Sequence, residues 1–555
     1  MAVVYGVYIH TPLFHEVQSR GFIAGSGFPL TLVTTNRSAM RKYVFAVVLF
    51  LSLEGQSQIL SSSAIDSLAE RSRKSFQVPG IAVAVIKDGK LIHAKGYGLR
   101  SLNSGLPVDE NTLFGIASNT KAFTSFALGI LVDEGKISWD DKVRTWIPEF
   151  KMYSPYVTEE FTIRDLITHR SGLGLGAGDL MFFPDSSDFQ FKDILYNLQF
   201  LKPVSGFRTK YDYDNNLYIV AGEVVKRVSG MSWEDFVENR IMKPVGMTQT
   251  AASFDRLKDT SNIIDAHAEV EGRVQVIARS HSKSDHPAGG IYSNIHDLSK
   301  WVALLLNQGY LGPDSSRIFS LAVQNEIWSP QTIIPVEEPG PYHTHFKAYG
   351  LGFFLQDLYG YKEVSHTGGL EGMVTQLVMF PELRLGIIVL TNQQETDAFM
   401  AISNQIRDGY LGLPYTDWVH ELKAENELHK LSAKKTTDSI LREIQIAQEH
   451  PLPGFRFGVY SGRYRDSWLG EVIIYEKNGR YWFASKRSPK LSGQLLPYKE
   501  NSFVVKWRDR SMDADAFVIF RLNETGLADG MKMKAISPLT DFSYDFQDLD
   551  FQKIP

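Results

Sequence analysis

The chain has 555 residues, 43% hydrophobic and 22% charged, with a net charge of −5 and no cysteine. That length favours two or three domains, and that balance is ordinary for a folded globular protein with no electrostatic reason to bind nucleic acid. Lack of cysteine excludes disulfides, thiolate nucleophiles, cysteine-ligated zinc and a lipid-modified N-terminal cysteine.

The first signal in chain order starts at Met40. Arg41 and Lys42 form a basic start, Val44–Leu53 an apolar centre, and Gly55-Gln-Ser57 offers small residues at cleavage spacing. The apolar run is too short to span a bilayer comfortably. Residues 40–58 therefore read as a secretory signal, and residues 1–39 as an N-terminal extension of uncertain role. The expectation is an exported protein, periplasmic or secreted, with no integral membrane span.

Ile59–Phe76 is polar with spaced apolar residues, the pattern of a first helix. Pro79–Ile86 reads as a buried strand and Leu91–Gly98 as its return. The turn between them contains Asp88-Gly89, a pair that readily supplies positive φ. Gly115-Ile-Ala-Ser118-Asn-Thr-Lys121 then opens a helix with Phe123, Phe126, Ala127, Ile130 and Leu131 on its apolar face. Ser118 and Lys121 stand three apart and share one side of that helix. A serine hydroxyl needs a neighbour to take its proton. A lysine can do so when burial or neighbours lower its pKa, and free N–H groups at a helix start favour developing negative charge. Ser-x-x-Lys recurs at Ser280/Lys283 and Ser432/Lys435, where polar surroundings make a solvated turn the simpler reading.

Phe161–Leu173 reads as a short helix entering a glycine-rich loop, Gly172 to Gly178. Met181-Phe-Phe-Pro184, with Phe189, Phe191, Tyr196 and Phe200, forms either an apolar lip or the packing of a helical lobe. Tyr213 and Asn215 lie two apart before the helix Ile219–Val228 and project to one side if extended. A buried tyrosine near a cation can exchange protons, and an amide can anchor that cation and bond a substrate carbonyl. Gly289 and Gly290 precede a helix that Asn294 and Asp297 can cap. They either let backbone approach a cleft or form a tight turn. Val364-Ser-His366-Thr367-Gly368-Gly369 leads into strands Met373–Phe380 and Gly386–Thr391. Its backbone N–H groups, with that of Ser118, suit an oxyanion hole. His343-Thr-His345 reads as an exposed loop, and no Gly-x-Ser-x-Gly elbow is present, which argues against an α/β-hydrolase.

Residues 416–450 are charged and helix-prone, and read as a solvated helical connector. Residues 451–555 alternate in short strands with an Asn478-Gly479 turn, as in a small antiparallel barrel. A barrel filled by its own side chains, packing on the larger unit or pairing copies of the chain into a homo-oligomer, is favoured over a ligand cavity.

Taken together, Ser118-x-x-Lys121, Tyr213-x-Asn215 and His366-Thr367-Gly368 resemble the three active-site motifs of the class C β-lactamase-like, penicillin-recognising serine hydrolases of peptidase family S12. Thr162–Leu173 and Pro287–Ser293 also look like that family, so the resemblance covers about residues 60–410. The C-terminal part is similar, more loosely, to the lipocalin-like domain behind some such hydrolases. The resemblance implies a mixed antiparallel sheet flanked by helices with a helical lobe over residues 59–415. It implies Ser118 as acyl-forming nucleophile, Lys121 and Tyr213 sharing the proton work, and Asn215 holding Lys121 and the substrate. It further implies an oxyanion hole from the N–H groups of Ser118 and Gly369, with Thr367, Gly368, Gly289 and Gly290 along the substrate path. No metal or cofactor is implied. Antibiotic-hydrolysing members carry lysine at the position of His366, and a histidine holds little charge at neutral pH. The expected substrate is thus a peptide, amide or small ester. The alternatives are a true β-lactamase or D-Ala-D-Ala carboxypeptidase, and a non-catalytic binding protein on the same fold.

Overall fold

A computed structural model describes residues 58–312, 317–450 and 456–555; the export segment at Met40–Ser57 and residues 1–39 lie outside them. Helix α1 (Ser62–Ser75) precedes strands β1 (Gly80–Lys87) and β2 (Lys90–Gly98). The turn between the strands holds Asp88 and Gly89 at φ 52° and 75°, as its Asp-Gly pair requires. Strands β3 (Thr332–Ile334), β4 (Lys347–Tyr349), β5 (Phe354–Leu358), β6 (Tyr361–Leu370), β7 (Met373–Phe380) and β8 (Leu385–Thr391) complete an eight-stranded sheet. The order is β2-β1-β8-β7-β6-β5-β4-β3, and every pairing is antiparallel.

The central strands β1 and β8 are apolar without interruption because both faces are covered. Val83, Val85, Ile387 and Val389 pack with α1 and with α5 (Thr396–Leu411). The alternate residues Ala82, Ala84, Ile388 and Leu390 join the opposite core with α4 (Ile295–Leu306). That core also encloses α2 (Thr120–Asp133), buried at every position from Thr120 to Leu131, and α3 (Asn216–Ser229) of the helical lobe. Phe123 of α2 stacks on Trp301 of α4 at 4.4 Å between centroids, which fixes the helix that starts at the Ser118 turn.

Residues 418–449 form one continuous helix, α6 (Trp418–Glu449). It is less solvated than its composition suggests. Trp418, Val419 and Leu422 pack on the core beneath α1 and α5, and Ile440 and Ile444 pack on Val504 and Ile536 of the C-terminal unit. That unit is a closed eight-stranded antiparallel barrel: β9 (Gly462–Asp466), β10 (Gly470–Lys477), β11 (Arg480–Ser485), β12 (Ser492–Lys499), β13 (Ser502–Trp507), β14 (Ala516–Leu522), β15 (Ala528–Ala535) and β16 (Asp550–Ile554). Its inward side chains are large and fully buried, Tyr464, Phe483, Phe503, Trp507, Phe520 and Phe551 among them. Among the described residues no helix is long and apolar enough to cross a membrane.

One close approach positions the functional region. β5 pairs with β6 only from Tyr361 to Ser365, so the β6 edge beyond His366 faces the turn that carries Ser118. A Cβ on Gly368 would stand 2.3 Å from the Ile116 carbonyl oxygen and 2.9 Å from Ala117 Cβ. Thr375 of β7 clamps the same turn, its hydroxyl donating to the Ile116 carbonyl at 3.0 Å and accepting from Asn119 Nδ2 at 2.9 Å. Gly368→Ala is therefore expected to lower stability by about 1–3 kcal/mol, the usual cost of overpacking, read as a reduced midpoint in urea unfolding. An unchanged midpoint would mean that the strand and turn can separate at no cost.

Candidate active site

Ser118 lies in a single 3₁₀ turn, Ala117–Asn119, that leads directly into α2. Ala117 adopts φ 49°, left-handed for a residue with a side chain, a conformation that persists only where its surroundings enforce it. The clamps from Gly368 and Thr375 supply that enforcement.

Lys121 is fully buried one turn on. Its Nζ is 3.0 Å from Ser118 Oγ, 2.7 Å from Asn215 Oδ1 and 3.0 Å from the Ala288 carbonyl oxygen. Two of these partners are carbonyl oxygens and can only accept. A neutral amine has two N–H donors and one lone pair. With both donors committed to Asn215 and Ala288, the lone pair points at Ser118, whose hydroxyl can donate to it. Burial lowers the Lys121 pKa to about 7, against the opposing pull of Asp179, Asp285 and Asp214. Lys121 thus spends a large fraction of its time neutral near physiological pH. Its Nζ also lies 4.8 Å from the centroid of the Tyr213 ring and 5.2 Å from that of Tyr218.

Tyr213 is buried with its hydroxyl toward Ser118. The contact falls short of full hydrogen-bond geometry, yet it partly offsets a pKa that burial, then Tyr218 and Asp179, push well above the usual phenol value. Tyr213 is therefore a protonated phenol in the resting site. The His169 ring packs at a tilt against it, 4.2 Å between centroids, and against Tyr349 at 4.4 Å. The His169 Nδ1 accepts the Asp214 N–H at 3.0 Å, which ties the Thr162–Leu173 stretch to the Tyr213 loop.

Asn215 receives Lys121 on Oδ1 and donates from Nδ2 to Asp179 Oδ2 at 2.8 Å. The amide orientation is thus fixed from both ends. His366 is almost fully buried; burial, aided by the Lys121 charge, drops its pKa to about 3. Its Nδ1 is 2.5 Å from the Thr367 carbonyl oxygen, which must accept, so Nδ1 carries the proton and Nε2 accepts from the Tyr349 hydroxyl at 3.0 Å. His366 is neutral and offers no cation.

Ser118, Tyr213, Asn215, His366, Thr367, Gly369 and Gly289 line one cleft, narrow inside at about 60 Å³. Gly368 and Gly290 lie outside its lining. Gly368 packs on the Ser118 turn, and a Cβ on Gly290 would meet His286 Cα at 2.7 Å, so Gly290 serves the tight turn. The aromatic run divides: Phe182 and Phe183 line the cleft, whereas Met181 and Phe189 are core. Ser280 also lines it, but its sequence companion Lys283 is exposed. Ser432 and Lys435 are exposed on α6. Residues without a local sequence signal join the site: Asp179 behind Asn215, Tyr349 on His366, and Asp541, Phe542 and Ser543 of the C-terminal unit; the flagged Pro287–Ser293 stretch adds the Ala288 carbonyl on Lys121.

In comparison with known proteins, the chain matches the family described as Beta-lactamase over residues 65–409 and the family described as Domain of unknown function (DUF3471) over residues 449–553. Unguisins hydrolase ungD' of Aspergillus campestris is 25% identical, with 81% of this chain and 85% of that protein covered. Unguisins hydrolase ungD of Aspergillus violaceofuscus is 29% identical over 64% of this chain and 67% of its own length. Protein flp of Staphylococcus aureus is 27% identical, covering 60% of this chain and 63% of that protein. Among solved structures, an octameric penicillin-binding protein homologue from Pyrococcus abyssi superposes with a TM-score of 0.56 at 20% identity, covering 89% of this chain and 100% of that one. At that identity the likeness concerns the fold.

The lysine geometry has a pH signature. A base works only when deprotonated, so the reaction of Ser118 with a fluorophosphonate should be slow below the Lys121 pKa and rise to a plateau above about 7. Lys121→Arg keeps the charge but cannot release its proton. It should lose the rising limb and slow the reaction by about 100-fold or more, as followed by intact-protein mass. A flat pH profile in the wild type would remove Lys121 from the proton path.

Proposed function

The chain belongs to the Beta-lactamase family, which covers residues 65–409, and on that premise we propose that it is a serine hydrolase that cleaves a peptide, amide or ester bond through an acyl-Ser118 intermediate. The observation that carries this reading is the committed hydrogen bonding of Lys121, which leaves its lone pair facing the Ser118 hydroxyl.

The chemistry follows from that arrangement. Lys121 takes the Ser118 proton as Oγ bonds to the substrate carbonyl carbon. The carbonyl oxygen gains negative charge between the N–H groups of Ser118 and Gly369, at the start of α2 and on the open edge of β6. The bond to the leaving group then breaks. Tyr213, a protonated phenol beside Ser118, hands its proton to the departing nitrogen or oxygen and recovers one from Lys121. Water attacks the acyl-Ser118 carbonyl by the reverse relay and releases the acid. Lys121 and Tyr213 share one proton and act as a unit.

The cleft lining supports the substrate class. It holds Asp285 and Asp541 but no lysine or arginine, and His366 is neutral. A substrate carboxylate therefore finds no cation, which disfavours β-lactams and C-terminal carboxylates. Phe182, Phe183, Phe354, Leu370 and Phe542 present apolar walls, suited to an apolar acyl group. The two Aspergillus relatives carry the name hydrolase, in keeping with bond cleavage rather than binding alone.

Treating wild type and Ser118→Ala with a fluorophosphonate should give a single adduct in the wild type and none in the variant. Turnover should then be found among p-nitrophenyl esters and amino-acid amides with apolar acyl groups, and exceed that of a chromogenic cephalosporin by about 100-fold. Equal turnover by Ser118→Ala would refute the acyl-serine reading. Faster cephalosporin turnover would favour the β-lactamase alternative.

A further inference from the structure

We infer that the C-terminal barrel completes the active site, and that Ser543 is the positioning residue through which it does so. The connection between β15 and β16, residues 536–549, leaves the barrel and enters the cleft. There the Ser543 hydroxyl donates to Asp179 Oδ2 at 2.8 Å, and the same oxygen accepts Asn215 Nδ2 at 2.8 Å. Asn215 Oδ1 in turn receives Lys121 at 2.7 Å. An asparagine amide can face either way, and the Asp179 carboxylate makes one orientation the favourable one, with oxygen toward the lysine. The barrel thus holds the far end of a chain that runs Ser543, Asp179, Asn215, Lys121, Ser118.

The loop that carries Asp179 is itself gripped from the barrel. Asp545 is fully buried and accepts the N–H groups of Gly178 at 2.6 Å and Leu180 at 3.2 Å, one on each side of Asp179. Gly176, at φ 69°, lets the same segment in: a Cβ there would stand 2.8 Å from both the ring and the carbonyl oxygen of Phe542. The Phe542 ring meets Tyr213 edge-on at 5.8 Å. Two acidic side chains, Asp179 and Asp545, are thus buried at one domain contact, and burial pushes the pKa of each well above the usual carboxylate range. Attachment has its own contacts elsewhere on this interface, such as Arg487 with Asp188 and Asp193, and Asn197 Nδ2 donating to the Trp468 carbonyl at 2.9 Å.

The inference rests on the acyl-Ser118 reading, and one experiment separates the two. The rate of fluorophosphonate labelling is measured against pH on the full chain for wild type, Ser543→Ala, the same-shape pair Ser543→Thr and Ser543→Val, and Arg487→Gln. The groups that face Lys121 are Asp179, Asp214, Asp285, Tyr213, Tyr218, His169 and His366. Without the Ser543 donor, Asp179 holds its proton to higher pH and supports the Lys121 ammonium less. Ser543→Ala should therefore label about 10-fold or more slowly, with its rising limb displaced to lower pH. Ser543→Thr should stay close to wild type and Ser543→Val should behave like alanine; that pair decides the matter if the alanine variant does not fold. Arg487→Gln should leave the limb in place, since its ion pairs lie off the chain. A wild-type rate and limb in Ser543→Ala, or equal behaviour of the threonine and valine variants, would overturn the inference. A wild type that fails to label would overturn the acyl-serine reading instead.

Discussion

A lysine with no exposure to water is the constraint on which the rest of this site depends. Desolvating an ammonium is costly, and the protein meets that cost in two ways. It lowers the Lys121 pKa to about 7, so the charge need not be present, and it surrounds the nitrogen with oxygen atoms, so the charge is tolerated when it is. The same environment makes the residue useful. Two carbonyl acceptors dictate where the amine hydrogens go and therefore where its lone pair goes. Asn215, Ala288 and, at one remove, Asp179 are best understood as determinants of that direction.

A second constraint is steric. The turn carrying Ser118 and the edge of β6 lie closer than any side chain allows, and Gly368 marks the contact. This closeness holds Ala117 in its left-handed conformation and sets Ser118 and Gly369 on one cleft. Preorganisation of this kind has to be supplied in folding, before any substrate arrives. The burial of α2 and the stacking of Phe123 on Trp301 supply it.

The electrostatic character of the cleft follows from what surrounds it. Four acidic side chains, Asp179, Asp214, Asp285 and Asp545, lie buried at or just behind the site; burial pushes Asp179, Asp214 and Asp545 toward their protonated forms, and the histidine of the β6 motif is kept neutral. Lys121, hydrogen-bonded to Ser118, has its pKa lowered to about 7 and can exist there with or without its charge. The cleft lining carries apolar walls and includes no lysine or arginine. The C-terminal unit contributes one of those walls through Phe542.

Much of this was legible in the sequence, for local reasons. The Asp88-Gly89 turn, the doubly buried strands β1 and β8, the apolar face of α2 and the Asn294 cap of α4 each follow from a short window of residues. Ser118 and Lys121 are neighbours on one helix, so their spacing alone placed them together. The partners of Lys121 were not of this kind. Ala288 sits in the Pro287–Ser293 stretch, but nothing in it shows that its backbone carbonyl meets the lysine, and Asp179 lies 36 residues from the asparagine it holds. Gly290 shared its local pattern with Gly289, yet only Gly289 reaches the cleft, because a turn sends consecutive residues to different surroundings. Composition gave residues 416–450 as a solvated connector, whereas α6 buries one side against two cores, since sparse apolar residues suffice when a long helix spans both. Ser543, 364 residues from Asp179, carries no sequence trace of that contact. Sequence by itself determined the elements and the pairing of Ser118 with Lys121, because those rest on contacts one helical turn apart. Tertiary structure decided the direction of the lysine lone pair, the neutrality of His366 and the entry of the barrel into the cleft. Those depend on desolvation and on hydrogen bonds that exist only once distant segments have been brought together.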